Sequence, residues 1–220
     1  MKLYIVATPI GNLGDITLRA LETLKEVDFI AAEDTRHSLI LLKKYDIQKQ
    51  LLSYHAHSGQ MKLEKIVGLL KEGKTCALIS DAGTPGISDP AYSLIQEVLK
   101  EGIEIVPIPG PTAFLTALVA SGLPMNQFVY LGFLPTKKGR QTLFESFKDE
   151  KRTIVFYESP HRIQKTLNQM EEILGGDRKM VIARELTKLH EEFVRGTISE
   201  VKNEFEKRKP KGEFVVILGK

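Results

Sequence analysis

Apolar and polar positions follow two rhythms along this chain. Short apolar runs predict strands at KLYIVA (2–7), FIAAED (29–34), TCALIS (75–80), IEIVPI (103–108), FVYLGFL (128–134), TIVFYE (153–158), KMVIAR (179–184) and EFVVIL (213–218). Between them, apolar residues recur at helical spacing. ITLRALETLKEV (16–27) sets Leu18, Leu21, Leu24 and Val27 on one face, and MKLEKIVGLLKEG (61–73) closes on Gly73 as a stop. SDPAYSLIQEVLKEG (88–102) opens on Ser88 or Asp89 as cap with Pro90 in its first turn, and PTAFLTALVASG (111–122) starts on a Pro. Further helices are predicted near 139–148, 160–174 and 198–208, the second opening on Pro160 and closing on Gly175 and Gly176.

Strand and helix alternate almost throughout, which predicts an α/β fold of mainly parallel sheets with helices packed on their faces. The Pro- and Gly-rich stretch 107–124 divides the chain into near-equal halves, so two α/β domains are expected, about 1–112 and 118–220.

Composition narrows the class. A hydrophobic share of 42% with 27% charged residues is ordinary for a globular protein and excludes a disordered chain. No apolar stretch approaches the ~18 residues of a membrane span. MKLYIVATPIGN has too short an apolar run for a signal peptide, so the cytoplasm is the expected compartment and no membrane partner is expected. The single Cys76 excludes an internal disulfide and a multi-cysteine zinc site, and inside its strand it reads as a small buried hydrophobe. The net charge of +3 is a mild bias. The clusters Lys137, Lys138, Arg140 and Lys207, Arg208, Lys209, Lys211 read as solvated surface or as phosphate contacts. Neither is interleaved with aromatics as a base-stacking platform requires.

Chemistry in a parallel sheet sits at the carboxyl ends of its strands. Three loops there are dense in Gly and Pro: ATPIGNLGD (7–15), SDAGTPGISDP (80–90) and PIPGPTA (107–113). Each lets backbone approach a ligand and leads toward a helix start, where free N–H groups attract anions. Together they point to one shared small-molecule site. GLLKEGKT (68–75) matches a phosphate-loop pattern formally, but a helix precedes it and a strand follows, the reverse of the required order. PIGNLG is likewise not a dinucleotide fingerprint. His55 and His57 have a spacing that suggests metal but lack a third ligand in register, so no metal is expected.

YIVATPIGNLGDITLRALETL, AAEDTRHS, SYHAHS, SDAGTPGISDPAYSLI, PIPGPTAFLTAL, FLP, FYESPHRI and ARELTKLHEE, in this order over Leu3 to about Leu218, resemble the ribosomal RNA small subunit methyltransferase I family of the tetrapyrrole-methylase superfamily. The resemblance implies two α/β domains with S-adenosylmethionine in the cleft between them, usually in a homodimer. It implies 2′-O-ribose methylation of a cytidine in small-subunit (16S) ribosomal RNA, with ribosomal RNA or the small ribosomal subunit as partner. Longer members carry a helical extension beyond the position of Lys220. By resemblance, Pro9, Asp81, Gly83, Thr84, Pro85, Ile87, Thr112, Ala113 and Tyr157 are assigned to the cofactor. Asp81 and Asp89 remain open to a second reading, as turn former and helix cap.

Methyl transfer to a hydroxyl is an in-line displacement that depends on alignment and on a positioned base. Candidates for the base stand at strand ends: Asp34, Glu158, His161 and Glu185. His161 has the most suitable ordinary pKa, though following Pro160 it also suits a cap or an ion pair. Arg36, Arg162 and Arg184, with Lys137, Lys138 and Arg140, are candidates for RNA phosphates; the arginines equally suit structural pairing with carboxylates. Two rivals share these features: a methylase of a small tetrapyrrole-like metabolite, and a non-catalytic nucleotide- or RNA-binding module.

Overall fold

The computed structural model describes residues 1–55, 58–89, 91–208 and 211–220. The backbone separates into two compact units, Met1–Thr112 and Ala113–Lys220.

The first unit runs β1 (Lys2–Val6), a 3-10 turn (Leu13–Asp15), α1 (Leu18–Glu26), β2 (Phe29–Ala32), α2 (Thr35–Lys44), β3 (Gln50–Ser53), α3 (Gln60–Lys71), β4 (Thr75–Ile79), α4 (Tyr92–Lys100) and β5 (Glu104–Ile108). Its sheet has the order β3-β2-β4-β1-β5, and every pair is parallel. Central strands are buried on both faces, as their unbroken apolar runs require. In β4, Cys76 and Leu78 pack with residues of α3 and α4, while Ala77 and Ile79 pack with residues of α1 and α2. Burial pushes the Cys76 thiol up to about 12, in keeping with an inert core residue. Pro107 sits in β5, an edge strand, where a missing N–H costs no ladder bond.

Two elements here escape the hydrophobic pattern. Strand β3 is short, polar at its start and at the sheet edge. Helix α2 carries the run Leu39–Leu42, which hides its period because Leu39 and Ile40 are exposed while Leu41 and Leu42 are buried. Leu18, expected on the buried face of α1, is exposed; Leu24 and Val27 are buried. Gly68 lies inside α3 and Gly73 follows its end, with β4 next, so the phosphate-loop match is a helix-to-strand turn. Helix α4 starts at Tyr92 with Ala91 as N-cap and no side-chain cap bond. Ser88 and Asp89 are therefore not its cap; Pro90 lies outside the described residues.

The second unit runs α5 (Ala113–Val119), β6 (Phe128–Phe133), α6 (Arg140–Ser146), β7 (Thr153–Glu158), α7 (Ile163–Leu174), β8 (Lys179–Arg184), β9 (Glu192–Thr197), α8 (Ile198–Glu206) and β10 (Phe214–Leu218). The sheet order is β6-β7-β10-β8-β9. Only β6 and β7 pair in parallel; β10 is antiparallel to β7 and β8, and β9 is antiparallel to β8. The expectation of parallel sheets thus holds for the first sheet and is corrected for the second. Helices α6 and α7 are the crossovers the alternation implied, but the last strand enters between β7 and β8, and β9 folds back on β8 without a helix. Strand β10 is buried at all five residues, the mark of a central strand. Strand β9 (EFVRGT) carries Glu192 and Arg195 and lies at the edge, so its apolar signal is weak. Among the described residues, no helix is long and apolar enough to cross a membrane.

Candidate active site

The three Gly/Pro-rich loops leave β1, β4 and β5, which are neighbours in the first sheet, and they lock to one another at its carboxyl edge. Thr8 and Gly83 form an isolated antiparallel bridge, Thr8 N–H donating to Gly83 O at 2.8 Å and Gly83 N–H to Thr8 O at 3.0 Å. The Thr8 hydroxyl donates to Ser80 O at 3.2 Å. Thr84 Oγ1 stands 3.2 Å from Pro111 O and 2.6 Å from Thr112 Oγ1, tying the β4 loop to the β5 loop. Two glycines make this approach possible. Gly83 has φ +82, and a Cβ there would press on Ile10; at Gly110 a Cβ would stand 2.9 Å from the Ala7 Cβ. The result is a backbone-lined edge in which Pro9, Gly83 and Pro85 are buried and Asp81, Thr84, Ile87 and Thr112 are partly exposed. Such an edge offers N–H and C=O groups of both signs, suited to an amino-acid carboxylate, its ammonium and a nucleoside, which is the chemistry of S-adenosylmethionine.

A second group forms on the other half of the same edge, where β2, β3 and β4 end. Asp81 lies close enough to disfavour the charge of Glu33, and both lie close enough to disfavour that of Asp89. The Asp81 backbone N–H donates to Glu33, Asp34 N–H donates to Asp81 Oδ1 at 3.0 Å, and the Ser80 side chain hydrogen-bonds Asp89. Burial, then the charge of Asp81, raises the Glu33 pKa, against the pull of that N–H and of His55. Burial, with Glu33 and then Asp81 nearby, pushes Asp89 up to about 6. Asp89 also lines a cavity of about 310 Å³ with Tyr54, His55, Gln60, Leu63 and Tyr92. The sequence did not single out Glu33 as part of this group or place Asp89 beside the cavity. Part of the signal was present: Asp81 follows the predicted strand TCALIS, while Glu33 fell inside the predicted FIAAED and comes free only because β2 ends at Ala32.

Asp34 caps α2, accepting from Arg36 N–H at 2.8 Å, and pairs with the Arg36 guanidinium at 2.7 Å. Both contacts hold its carboxyl well below the usual carboxylate range, so it is a weak base. The Arg36 side chain itself is 88% exposed. His57 lies outside the described residues, and among those described no group of three or more His, Cys, Asp or Glu is set to hold a metal ion.

In the second unit, Glu158 is buried and saturated. It accepts from Thr166 Oγ1 at 2.6 Å, Ser159 N–H at 2.8 Å, Arg162 Nη2 at 2.8 Å and Arg140 Nη2 at 3.5 Å. Arg140, 5% exposed, also donates to Gln169 Oε1, Pro135 O and Thr166 Oγ1. Two expectations are corrected here: Glu158 is buried with its carboxylate committed to Thr166, Ser159, Arg162 and Arg140, and the buried Arg140 guanidinium is committed to the fold and not presented at the surface for phosphate. Arg162 donates to Leu134 O as well as to Glu158, and Arg184 donates to Lys211 O and Glu192, so both are largely spent on the fold. Glu185 pairs with Lys188 and accepts from Glu213 N–H, which lower its pKa against the effect of burial. His161, Lys137 and Lys138 are exposed. Tyr157 Oη accepts from Phe114 N–H at 3.3 Å, beside Ala113, and its ring packs edge-on to Tyr130 and tilted against Phe133.

A fold of this kind, with a glycine-locked edge at β1, β4 and β5, matches a known class over most of its length. Residues 2–202 match the family of tetrapyrrole (corrin/porphyrin) methylases. Among solved structures, a cobalt precorrin-4 methyltransferase of cobalamin biosynthesis superposes with a TM-score of 0.73 at 19% identity, covering 99% of this chain and 94% of that one. The uroporphyrin-III C-methyltransferase of Thermus thermophilus gives 0.69 at 17%, over 99% and 94%. At such identities the likeness is one of fold. Among curated relatives, the ribosomal RNA small subunit methyltransferase I of Thermotoga maritima is 54% identical, covering 99% of this chain and 97% of its own length. That of Bacillus subtilis is 49% identical, over 98% and 74%. The chain belongs to the ribosomal RNA small subunit methyltransferase I family, within the tetrapyrrole methylases. It is a methyltransferase whose methyl donor is S-adenosylmethionine.

Proposed function

We propose that this chain methylates the ribose 2′-hydroxyl of a cytidine in small-subunit ribosomal RNA. The observation that carries the reading is the mutual locking of the β1, β4 and β5 loops through Thr8, Gly83, Thr84 and Thr112, in a chain 54% identical to a named ribosomal RNA methyltransferase. When bound, S-adenosylmethionine supplies a methyl group on a positively charged sulfur. The residues of this chain do the rest. Pro9, Asp81, Gly83, Thr84, Pro85, Ile87 and Thr112 hold the donor through backbone groups and small side chains. Ala113 and Tyr157 are further candidates for the donor, by resemblance. Alignment is the main contribution, since well-oriented reactants lower a barrier by roughly 7–11 kcal/mol.

RNA binding is part of the proposal. Lys137 and Lys138 are free to meet phosphates, and the Arg36 guanidinium, paired at the surface, is available to exchange its carboxylate for one. His161 stands exposed near the start of α7 and is a secondary candidate for proton transfer. The working form is a cytoplasmic homodimer, a statement that analytical ultracentrifugation checks directly. The test of the function is mass-spectrometric mapping of 2′-O-methyl groups in ribosomal RNA from cells with and without the gene, joined to calorimetry with S-adenosylmethionine. A cytidine that loses its methyl group in the deletion strain and regains it with purified protein is expected. Unchanged ribosomal RNA, or methylation of a tetrapyrrole in its place, refutes the proposal.

A further inference from the structure

The carboxyl edge of the first sheet has two halves, and the β4 loop borders both. Its residues Gly83 and Thr84 join the loops of β1 and β5, where the methyl donor belongs. Its end, Asp89, lines a cavity together with Tyr54 and His55 after β3 and with Leu63 and Tyr92 of α3 and α4. At about 310 Å³ this cavity falls at the lower end of the ~300–1,000 Å³ typical of ligand pockets. Its walls suit a nucleoside. The ring of Tyr92 is largely exposed and offers a face on which a base can stack, and His55 and Gln60 supply polar groups.

We propose that this cavity seats the methyl-accepting nucleoside and that Asp89 is the general base that takes the proton of its hydroxyl. The inference rests on the function proposed above. As the sugar oxygen forms its bond to the methyl carbon, the carbon–sulfur bond breaks. The sulfonium becomes a neutral thioether, and the hydroxyl proton passes to the Asp89 carboxylate.

Three observations select Asp89. It has no helix to cap, because α4 starts at Tyr92 on Ala91. Its neighbour Ser88 holds φ +67, a left-handed conformation that is strained for a non-glycine residue and is typical of functional turns. Its surroundings set its basicity: burial raises it most, Glu33 from the end of β2 and Asp81 after β4 add to the rise by repelling its charge, and the Ser80 side chain opposes them. A base whose ordinary range is lifted toward neutrality transfers protons better than one held low, as Asp34 is. His55, across the cavity, interacts with Glu33.

The experiment measures methyl transfer to small-subunit ribosomal RNA against pH for the wild-type chain and for Asp89→Asn, Glu33→Gln and His161→Ala. S-adenosylmethionine affinity is read by calorimetry. The Asp89 carboxyl is followed by carbon-13 NMR in the protein alone, a readout that needs no turnover. Asp89→Asn is expected to lower kcat by ~10²–10⁴-fold, leave cofactor affinity unchanged and abolish the acid limb of the rate profile. Glu33→Gln, which removes a repelling charge, is expected to move that limb and the NMR titration together to lower pH. Circular dichroism confirms that each variant folds; should Asp89→Asn not fold, the paired shift in Glu33→Gln decides. The assignment is overturned if Asp89→Asn transfers at the wild-type rate, if its loss follows cofactor affinity, if its acid limb persists, if limb and titration move apart, or if His161→Ala alone removes the limb. A wild-type chain that methylates no ribosomal RNA refutes the function itself, a separate result.

Discussion

Asp89 is unfavourable in the fold for the same reason that it is useful in a reaction. Its pKa rises from the ordinary 3.8 to about 6 in the folded chain, so the folded state holds the proton more tightly than the unfolded one. Below about pH 4 the group is neutral in both states and carries no penalty. Between about 4 and 6 the unfolded chain loses the proton first, and stability falls as pH rises; above 6 the full penalty stands. Asp89→Asn is therefore expected to raise the melting temperature at pH 7.5, with the gain shrinking toward zero as pH falls through 6 to 4. Thermal denaturation of both chains across that range checks it, and a gain that is constant with pH contradicts the assignment of the shift to Asp89. The same residue shows where sequence reading stops. Ser-Asp-Pro before an apolar period has every mark of a helix cap, and only the left-handed Ser88 and the start of α4 at Tyr92 remove it from that role. The turn at Gly83 and Thr84, in contrast, was legible as a glycine-dense loop after a buried strand, while its use by the methyl donor came from resemblance and not from the loop alone.

At the scale of elements, the junction of β7, α6 and α7 is held by charge. Glu158 ends β7 and gathers Arg140 from α6 with Arg162 and Thr166 beside and within α7; Glu158, Arg140 and Thr166 are buried and Arg162 is half-buried. Breaking such a buried set from one side strands its remaining charges, at a cost of about 3–5 kcal/mol. Glu158→Ala is expected to lose stability on that order in urea denaturation. Arg140→Met is expected to lose stability while RNA affinity stays at the wild-type level, since its guanidinium faces the fold. A variant at Arg140 that keeps its stability and loses RNA returns that residue to the binding surface. Charge type was visible in the sequence at both positions, but pairing was not, because it depends on α6 and α7 packing on the same strand end. The second sheet teaches the same lesson. Apolar runs and crossover helices identify strands, yet nothing local to FVVIL states that it inserts between β7 and β8 and runs antiparallel to both.

For the whole molecule, division into two α/β units was readable because the Pro- and Gly-rich stretch interrupts both rhythms near mid-chain. Net charge was also readable, but where it acts was not: a mild excess of +3 over 220 residues says little until one knows which cations are already committed. Arg140, Arg162 and Arg184 are held by the fold, and Arg36 is paired at the surface, whereas Lys137 and Lys138 extend into solvent. Phosphate contacts release counterions from RNA, so affinity falls with salt by a logarithmic slope of about 0.7 per contact for single strands. Wild-type affinity for a small-subunit RNA fragment is expected to weaken steadily from low to moderate salt. Replacing both lysines with alanine is expected to flatten that slope by roughly 1.4, two contacts at the same rate, with cofactor affinity unaltered. Fluorescence anisotropy titrations over a salt series measure it. A slope that both chains share places the RNA contacts on some other face and leaves Lys137 and Lys138 as solvated surface.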